Sequence, residues 1–282
     1  MKITALIENT HVSACPGLSV EPGLSLWITL RDHHILFDSG VSGAFIQNAA
    51  QLNIDVSQAD LAVLSHHHYD HAGGLRAFFG VNSSAPVWLG KSASEDLQLN
   101  AYGLLKKPIG MEEQLFKDFP ERFRFIDDFC ELTPDIFLLP RIPHNHPLPK
   151  GNRFLYRVMN DKQQHDTFEH EIVMLIRQPG GLVVFSRCSH NGILNVLDAV
   201  VQRFPGERIL ALLGGFHLIG IPFLNTLAGS PEQIRALGRA ILEYPVDMVY
   251  TCHCTGLKAY PILKEVMGAQ LEYFAAGSVV EI

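Results

Sequence analysis

Apolar and polar positions alternate along the chain in short runs whose periods predict both strands and helices. Ile3 to Ile7, Leu24 to Leu30 and Ile35 to Phe37 read as strands, the last two separated by the polar turn Arg31-Asp32-His33-His34. Strands joined by turns predict antiparallel pairing. The period then changes: Ala44 to Leu52 has helical spacing, Leu61 to Leu64 is a short buried strand, and Gly74 to Phe79 begins another helix. Glu171 to Arg177 and Leu182 to Phe185 flank Gln178-Pro179-Gly180-Gly181, a tight-turn sequence that predicts a hairpin. Strand-like runs at Ile209 to Leu213 and Val246 to Tyr250 alternate with helical patterns at Leu194 to Arg203 and Pro231 to Leu242, the second opened by Ser230 and Pro231. Hairpins mixed with strand-helix alternation predict an α/β (α+β) fold of four layers, αββα, in which two packed mixed sheets carry helices on their outer faces.

Between about Ser92 and Gly151 the pattern is irregular, with seven prolines and clustered aromatics. The expectation there is an insertion of helix and loop, at about 92–151, that covers the site of a single domain spanning 1–282. A chain of 282 residues buries a core without staples. Its apolar runs all fall short of the roughly 18 residues of a membrane span. The alternating segment Met1 to Glu8 lacks the features of a secretory signal, so a cytoplasmic location is expected. Five cysteines form no evenly spaced framework and read as reduced thiols. A net charge of −7, with no run of Lys and Arg, argues against nucleic acid and membrane surfaces and leaves small molecules as the expected partners. Oligomeric state is not legible.

Fourteen histidines gather beside Asp and Cys in a few segments, which points to metal chemistry. The sharpest is Leu64-Ser65-His66-His67-His68-Tyr69-Asp70-His71-Ala72-Gly73-Gly74-Leu75. In an extended stretch His66 and His68 share a face and can reach one metal, while a following helix would project Asp70 and His71 toward a second. His67 and Tyr69 should then point away. Gly73 and Gly74 suit a sharp turn because glycine tolerates backbone angles closed to other residues. Three predicted strands run into further polar segments: Cys188-Ser189-His190, Gly214-Gly215-Phe216-His217 and Thr251-Cys252-His253-Cys254. Strand ends are where α/β folds place their sites. An extended segment cannot aim three neighbouring side chains at one metal, so His253 is the expected ligand and its flanking cysteines are expected to pack. His144 and His146 either line the mouth of the site or lie on an exposed loop, and His11, His33, His34, His165 and His170 have no supporting neighbours.

His-x-His-x-Asp-His after an apolar strand resembles the metal-binding motif of the metallo-β-lactamase superfamily. Phe37-Asp38-Ser39-Gly40 is similar to that superfamily's Asp-Ser/Thr-Gly turn, whose Asp supports the metal ligands from behind; the other reading of Asp38 is a turn cap. Glu8-Asn9-Thr10, Arg187-Cys188-Ser189-His190-Asn191-Gly192-Ile193, Gly214-Gly215-Phe216-His217-Leu218 and His253-Cys254-Thr255-Gly256 narrow the resemblance to one branch. That branch is the 7,8-dihydropterin-6-methyl-4-(β-D-ribofuranosyl)aminobenzene-5′-phosphate synthase-like proteins, which usually have Gly where this chain has Arg187. The resemblance implies that His66, His68 and His190 hold one metal and Asp70, His71 and His253 a second. Zinc, two ions per chain, is the implied cofactor, with manganese or iron as alternatives. Cys188 occupies the place of a bridging Asp in many members, and either bridges as a thiolate or packs as a small hydrophobe. His217 either contacts the substrate or metal-bound water, or only hydrogen-bonds a loop.

These residues support a metal-dependent hydrolase in which metal-activated hydroxide attacks an ester, amide or phosphate-type bond. Zinc lowers the pKa of water from 15.7 to about 7, and Asp70 would orient that water while it ligates. Asp70 and His217 are the catalytic candidates. The branch resemblance implies instead a transfer joining a pterin pyrophosphate to an aminobenzene ribotide. A phosphate-bearing or pterin-like substrate would draw on Lys91, Lys106, Lys107, Arg141, Lys150 or Arg153. Two alternatives stand beside these: a mononuclear iron oxygenase, and a non-catalytic protein that binds metal or ligand.

Overall fold

The computed structural model describes residues 1–92, 96–220 and 226–282. In chain order the strands are β1 (Lys2–Ile7), β2 (Ser25–Leu30), β3 (His33–Phe37), β4 (Leu61–Leu64), β5 (Val87–Gly90), β6 (Leu97–Ala101), β7 (Leu105–Pro108), β8 (Phe123–Ile126) and β9 (Cys130–Thr133). They continue with β10 (Ile136–Leu139), β11 (Leu155–Met159), β12 (Lys162–His165), β13 (Val173–Gln178), β14 (Gly181–Arg187), β15 (Ile209–Gly214), β16 (Val246–Thr251), β17 (Leu271–Tyr273) and β18 (Val279–Glu281). The helices are α1 (Ala44–Gln51), α2 (Tyr69–Ala72), α3 (Leu75–Val81), α4 (Gln114–Asp118), α5 (Ile193–Arg203), α6 (Pro231–Ile241) and α7 (Tyr260–Met267).

Two seven-stranded mixed sheets form the centre, ordered β18-β1-β2-β3-β4-β5-β8 and β17-β16-β15-β14-β13-β10-β9. In each, a hairpin-connected antiparallel part meets a parallel part built by strand-helix-strand units: β3, β4, β5 and β8 are parallel, as are β14 to β17. The period of two sorts side chains between cores. Leu26 and Ile28 of β2, Met174 and Ile176 of β13, and Val183 and Phe185 of β14 fill the seam between the sheets. Their sequence neighbours face outward, Trp27 toward α1 and α3, and Leu175, Leu182 and Val184 toward α5, α6 and α7. This is the αββα arrangement that the sequence pattern predicts.

The stretch expected to be helix and loop departs from that expectation. Among the described residues only α4 and short single turns are helical there, whereas β8 closes an edge of the first sheet and β9 and β10 an edge of the second. β6 and β7 join β11 and β12 in a separate four-stranded sheet ordered β12-β11-β6-β7. These strands are four or five residues long and often half-exposed, too short for a period of two to stand out. The expected strand from Glu171 begins only at Val173, because Glu171 turns inward to the site. No helix among the described residues is long and apolar enough to cross a membrane.

Phe185 is fully buried in the seam and meets Phe37 of the opposite sheet edge-on, ring centroids 5.6 Å apart. Phe185→Ala should cost about 3–5 kcal/mol of stability, read from urea denaturation. A loss under about 1 kcal/mol would show that the seam does not depend on this contact.

Candidate metal centre

The site forms where strands of both sheets end. β4 stops at Leu64, the chain bends through Ser65, His66 and His67, and α2 starts at Tyr69 after an extended His68, so the expected extended stretch is confined to its last residue while Asp70 and His71 ride the first helical turn. Gly73 and Gly74 have ordinary helical angles, φ −62° and −80°, so the expectation of special backbone conformations fails there. Close approach is what requires them: a Cβ on Gly73 would lie 2.2 Å from the Val41 carbonyl oxygen, and one on Gly74 2.2 Å from that of Ser39. The turn after β3 thereby packs directly on the histidine motif.

From the second sheet, β14 delivers Cys188 and His190, β15 delivers His217, and β16 delivers His253. Arg187, Ser189, His217 and His253 all adopt left-handed backbone, φ 54°, 52°, 48° and 47°. Such strain collects where the surroundings dictate the geometry. His253 opens a single 3-10 turn, His253–Thr255, and that turn also carries the Cys254 sulfur to the site. The expectation that both flanking cysteines pack away holds for Cys252, in the inter-sheet core, and fails for Cys254, because the segment is not extended.

Two groups of potential ligands result. The rings of His66, His68 and His190 lie 4.6, 5.0 and 4.9 Å apart, centroid to centroid. Their Nε2 atoms are buried with no hydrogen-bond partner among the described residues, and one ring nitrogen of each histidine lies within 4.8 Å of those of the other two. Asp70, His71 and His253 form the second group, with Asp70 Oδ2 3.3 Å from His253 Nε2 and 3.9 Å from His71 Nε2. Cys188 Sγ lies 3.2 Å from His71 Nε2 and belongs both to a cluster with His66 and His71 and to one with His253 and Cys254. Each of these groups can hold a metal ion.

Partners behind the ligands fix which nitrogen faces inward. Asp38 Oδ2 accepts from His71 Nδ1 at 2.6 Å and from the Ser65 hydroxyl at 2.7 Å, and Ser65 Oγ in turn meets His66 Nδ1 at 2.9 Å. Asn152 Oδ1 lies 3.1 Å from His190 Nδ1, and Asn9 Oδ1 lies 2.7 Å from His253 Nδ1. With Nδ1 donating outward, the Nε2 atoms of His66, His71 and His190 present lone pairs to the centre, while His253 Nε2 faces Asp70 Oδ2. Glu171 accepts from the His190 and Asn191 amides at 2.7 and 2.8 Å, and Glu8 from the His253 amide at 2.6 Å. Glu8 is fully buried, and its role gives structural meaning to the Glu8-Asn9-Thr10 match.

Burial, reinforced by crowding among the imidazoles, holds His66 and His190 well below the usual histidine range and lowers His68 to about 3. These rings are neutral at neutral pH, the form that binds metal. Burial alone would raise the Asp70 carboxyl, yet His71 and the hydrogen bond from His253 outweigh it and keep Asp70 ionised. His253 shows the converse balance: burial opposes its charge, the Asp70 contact favours it, and the net is about 8. Burial raises the Glu171 carboxyl to about 7 against its three hydrogen bonds, and pushes the Cys188 thiol up.

The centre forms the floor of a cavity of about 330 Å³ lined by His68, Asp70, Cys188, His190, His217 and His253, with walls from Leu99, Lys107, Ile109, Phe154 and Leu155. The region after Ser92 thus covers the site, although with strands. Tyr69 lines the cavity, contrary to the alternation argument, because α2 has already begun there; His67 does point away, to the Gly90 carbonyl. The His217 ring lies 4.3 Å from that of His190, tilted by 57°, and among the described residues its buried Nδ1 has no hydrogen-bond partner. His144 and His146 instead meet Asn191 and Asp198. Lys91 and Arg141 pair with Asp127, Lys150 bonds Gln233, and of the six candidate cations only Lys107 lines the cavity. His170, which seemed isolated in sequence, accepts the His67 amide and lies 3.1 Å from Asp166, forming a buried cluster beside His68.

A model of the metallo-β-lactamase superfamily matches residues 18–149. Over 298 aligned residues, covering 100% of this chain and 96% of the relative, the chain is 29% identical to the 7,8-dihydropterin-6-methyl-4-(β-D-ribofuranosyl)-aminobenzene-5′-phosphate synthase of Methanocaldococcus jannaschii. The crystal structure of Tm1679, a metal-dependent hydrolase of the β-lactamase superfamily, superposes with a TM-score of 0.82 at 30% identity, covering 100% of this chain and 99% of that one. Zinc-bound PqqB from Methylobacterium extorquens shares the fold alone, with a TM-score of 0.57 and 11% identity across the full length of both chains. Full-length likeness at this level, on two mixed sheets whose strand ends carry His-x-His-x-Asp-His, places the chain in the metallo-β-lactamase superfamily.

Proposed function

We propose that this protein is a metal-dependent hydrolase with a dinuclear zinc centre, cleaving an ester, amide or phosphate-type bond in a small molecule. The observation that carries this reading is the convergence of three buried, unpartnered Nε2 atoms beside a second carboxylate-bearing group on a cavity floor. Buried polar atoms are almost always satisfied, so three orphaned lone pairs aimed at one point mark the place of a cation. His66, His68 and His190 would hold one ion; Asp70, His71 and His253 the other; Cys188 lies between them. His253 supports this from its own contacts, since both its nitrogens face acceptors, Asn9 Oδ1 and Asp70 Oδ2, a position that suits a proton or a metal.

Zinc bound there supplies a nucleophile at neutral pH and polarises the substrate's oxygen. The chain's own residues supply the rest. Neutral imidazoles would leave the charge of a bound ion uncompensated, and Asp70, partly open to the cavity, would align the attacking water through its free acceptor capacity. His217 stands on the cavity wall beside His190 and would hydrogen-bond the departing group. The apolar walls exclude bulk water and strengthen each of these interactions. A second reading, transfer in place of hydrolysis, draws support from the M. jannaschii synthase's name and full-length alignment. The products separate the two: free pyrophosphate with a joined pterin-aminobenzene compound marks transfer.

Protein purified without added metal should contain two equivalents of zinc, and His66→Ala and His253→Ala should each lose about one. Iron at one equivalent would favour oxygen chemistry, and protein without metal would overturn the reading. Asp38→Asn, which removes the charge behind His71 and Ser65, should weaken zinc affinity by roughly 10- to 100-fold in chelator competition. Unchanged affinity would reduce Asp38 to a turn cap.

A further inference from the structure

We infer that Lys107 is the anion anchor of the substrate, so that the cavity takes a small molecule with an apolar body, its scissile group on the floor and a separate phosphate or carboxylate at the lysine. The inference rests on the metal-centre reading above. Lys107 is the only Lys or Arg among the residues that line the cavity. Its amine is held in place, 3.3 Å from the Tyr69 hydroxyl and 4.5 Å above that ring. Tyr69 directly precedes Asp70, which ties the cation to the segment carrying the floor. Among the described residues no carboxylate pairs with Lys107, whereas the candidate cations Lys91 and Arg141 are both engaged by Asp127.

The wall supplies the remaining specificity. In the β6–β7 pairing Lys107 lies directly opposite Leu99, so one sheet face offers an apolar contact and a charge side by side. Leu99, Ile109 and Leu155 belong to one apolar cluster on which Tyr69 also packs. A substrate lying along this wall buries its body against aliphatic side chains and meets one positive charge at its end. Lys107 is itself exposed, at the rim of the cavity, so an anion there gains a solvent-screened, charge-assisted hydrogen bond.

The probes are phenylphosphonate and a series of phosphonates bearing a carboxylate on apolar spacers of increasing length, titrated calorimetrically into the zinc-loaded protein. The phosphonate end takes the floor, and the carboxylate reports on Lys107. At one spacer length the carboxylated compound should bind roughly 3- to 10-fold tighter than phenylphosphonate, the scale of a partly shielded charge pair. Lys107→Met should erase that preference, so that the carboxylated compound and phenylphosphonate bind the variant alike, and Lys106→Met, off the cavity on the same exposed strand, should retain it. No preference at any spacer length, or one that survives Lys107→Met, would overturn the inference. Failure of phenylphosphonate itself to bind protein carrying its full metal would instead count against the metal-centre reading.

Discussion

One buried carboxylate holds the site together. Asp38 accepts the Ser65 amide and hydroxyl, the His71 imidazole, and the charge of Arg187, whose Nε lies 3.0 Å away. Both oxygens are used, and the side chain is fully shielded from water. An isolated charge in that position would be strongly unfavourable, so removing any single partner leaves a desolvated group behind. Through Ser65 and His71 the same carboxylate orients one ligand from each histidine group. Orientation of the two groups is therefore a single event: the turn after β3 must dock on the histidine motif, and Gly73 and Gly74 permit that docking.

Arg187 shows how this chain departs from the branch it resembles. Position 187 takes a left-handed backbone that glycine adopts freely, and an arginine occupies it with its guanidinium buried. The side chain reaches across the seam to the Phe37 carbonyl, stacks 4.2 Å over the Phe37 ring and faces Asp38. Local strain of order 1–3 kcal/mol is offset by a cation delivered where the carboxylate needs one. The end of β14 is thereby fastened to the end of β3, the two strand ends between which the site lies.

Legibility in the sequence followed distance along the chain. His66, His68, Asp70 and His71 fall within six residues and announce themselves by spacing, and the expected assignment of strands to two sheets rests on a period of two that both cores impose. His190, His217 and His253 were readable because predicted strands ran into them. Asn9, Asn152, His170 and Glu171 were not, since each becomes informative only through a partner tens or hundreds of residues away, as in the 244-residue separation of Asn9 and His253. The sole local signal was the Glu8-Asn9-Thr10 match. β6 to β10 were misread for a different reason: in strands of four or five residues, pairing across the sheet decides the structure and local pattern hardly contributes.

The four-stranded sheet over the site packs around its own small cluster, Leu97, Leu99, Ile109, Leu155 and Phe168, apart from the three larger cores. The cluster is nonetheless joined to the histidine groups beneath it: the Phe168 ring lies flat on that of His190, 4.6 Å away, and the Ile109 carbonyl accepts the Tyr69 amide. Substitution in this small cluster is therefore felt at the histidine motif as well as on the cavity wall. Wall and floor are constrained together, so a change that reshapes one has to be compatible with the other.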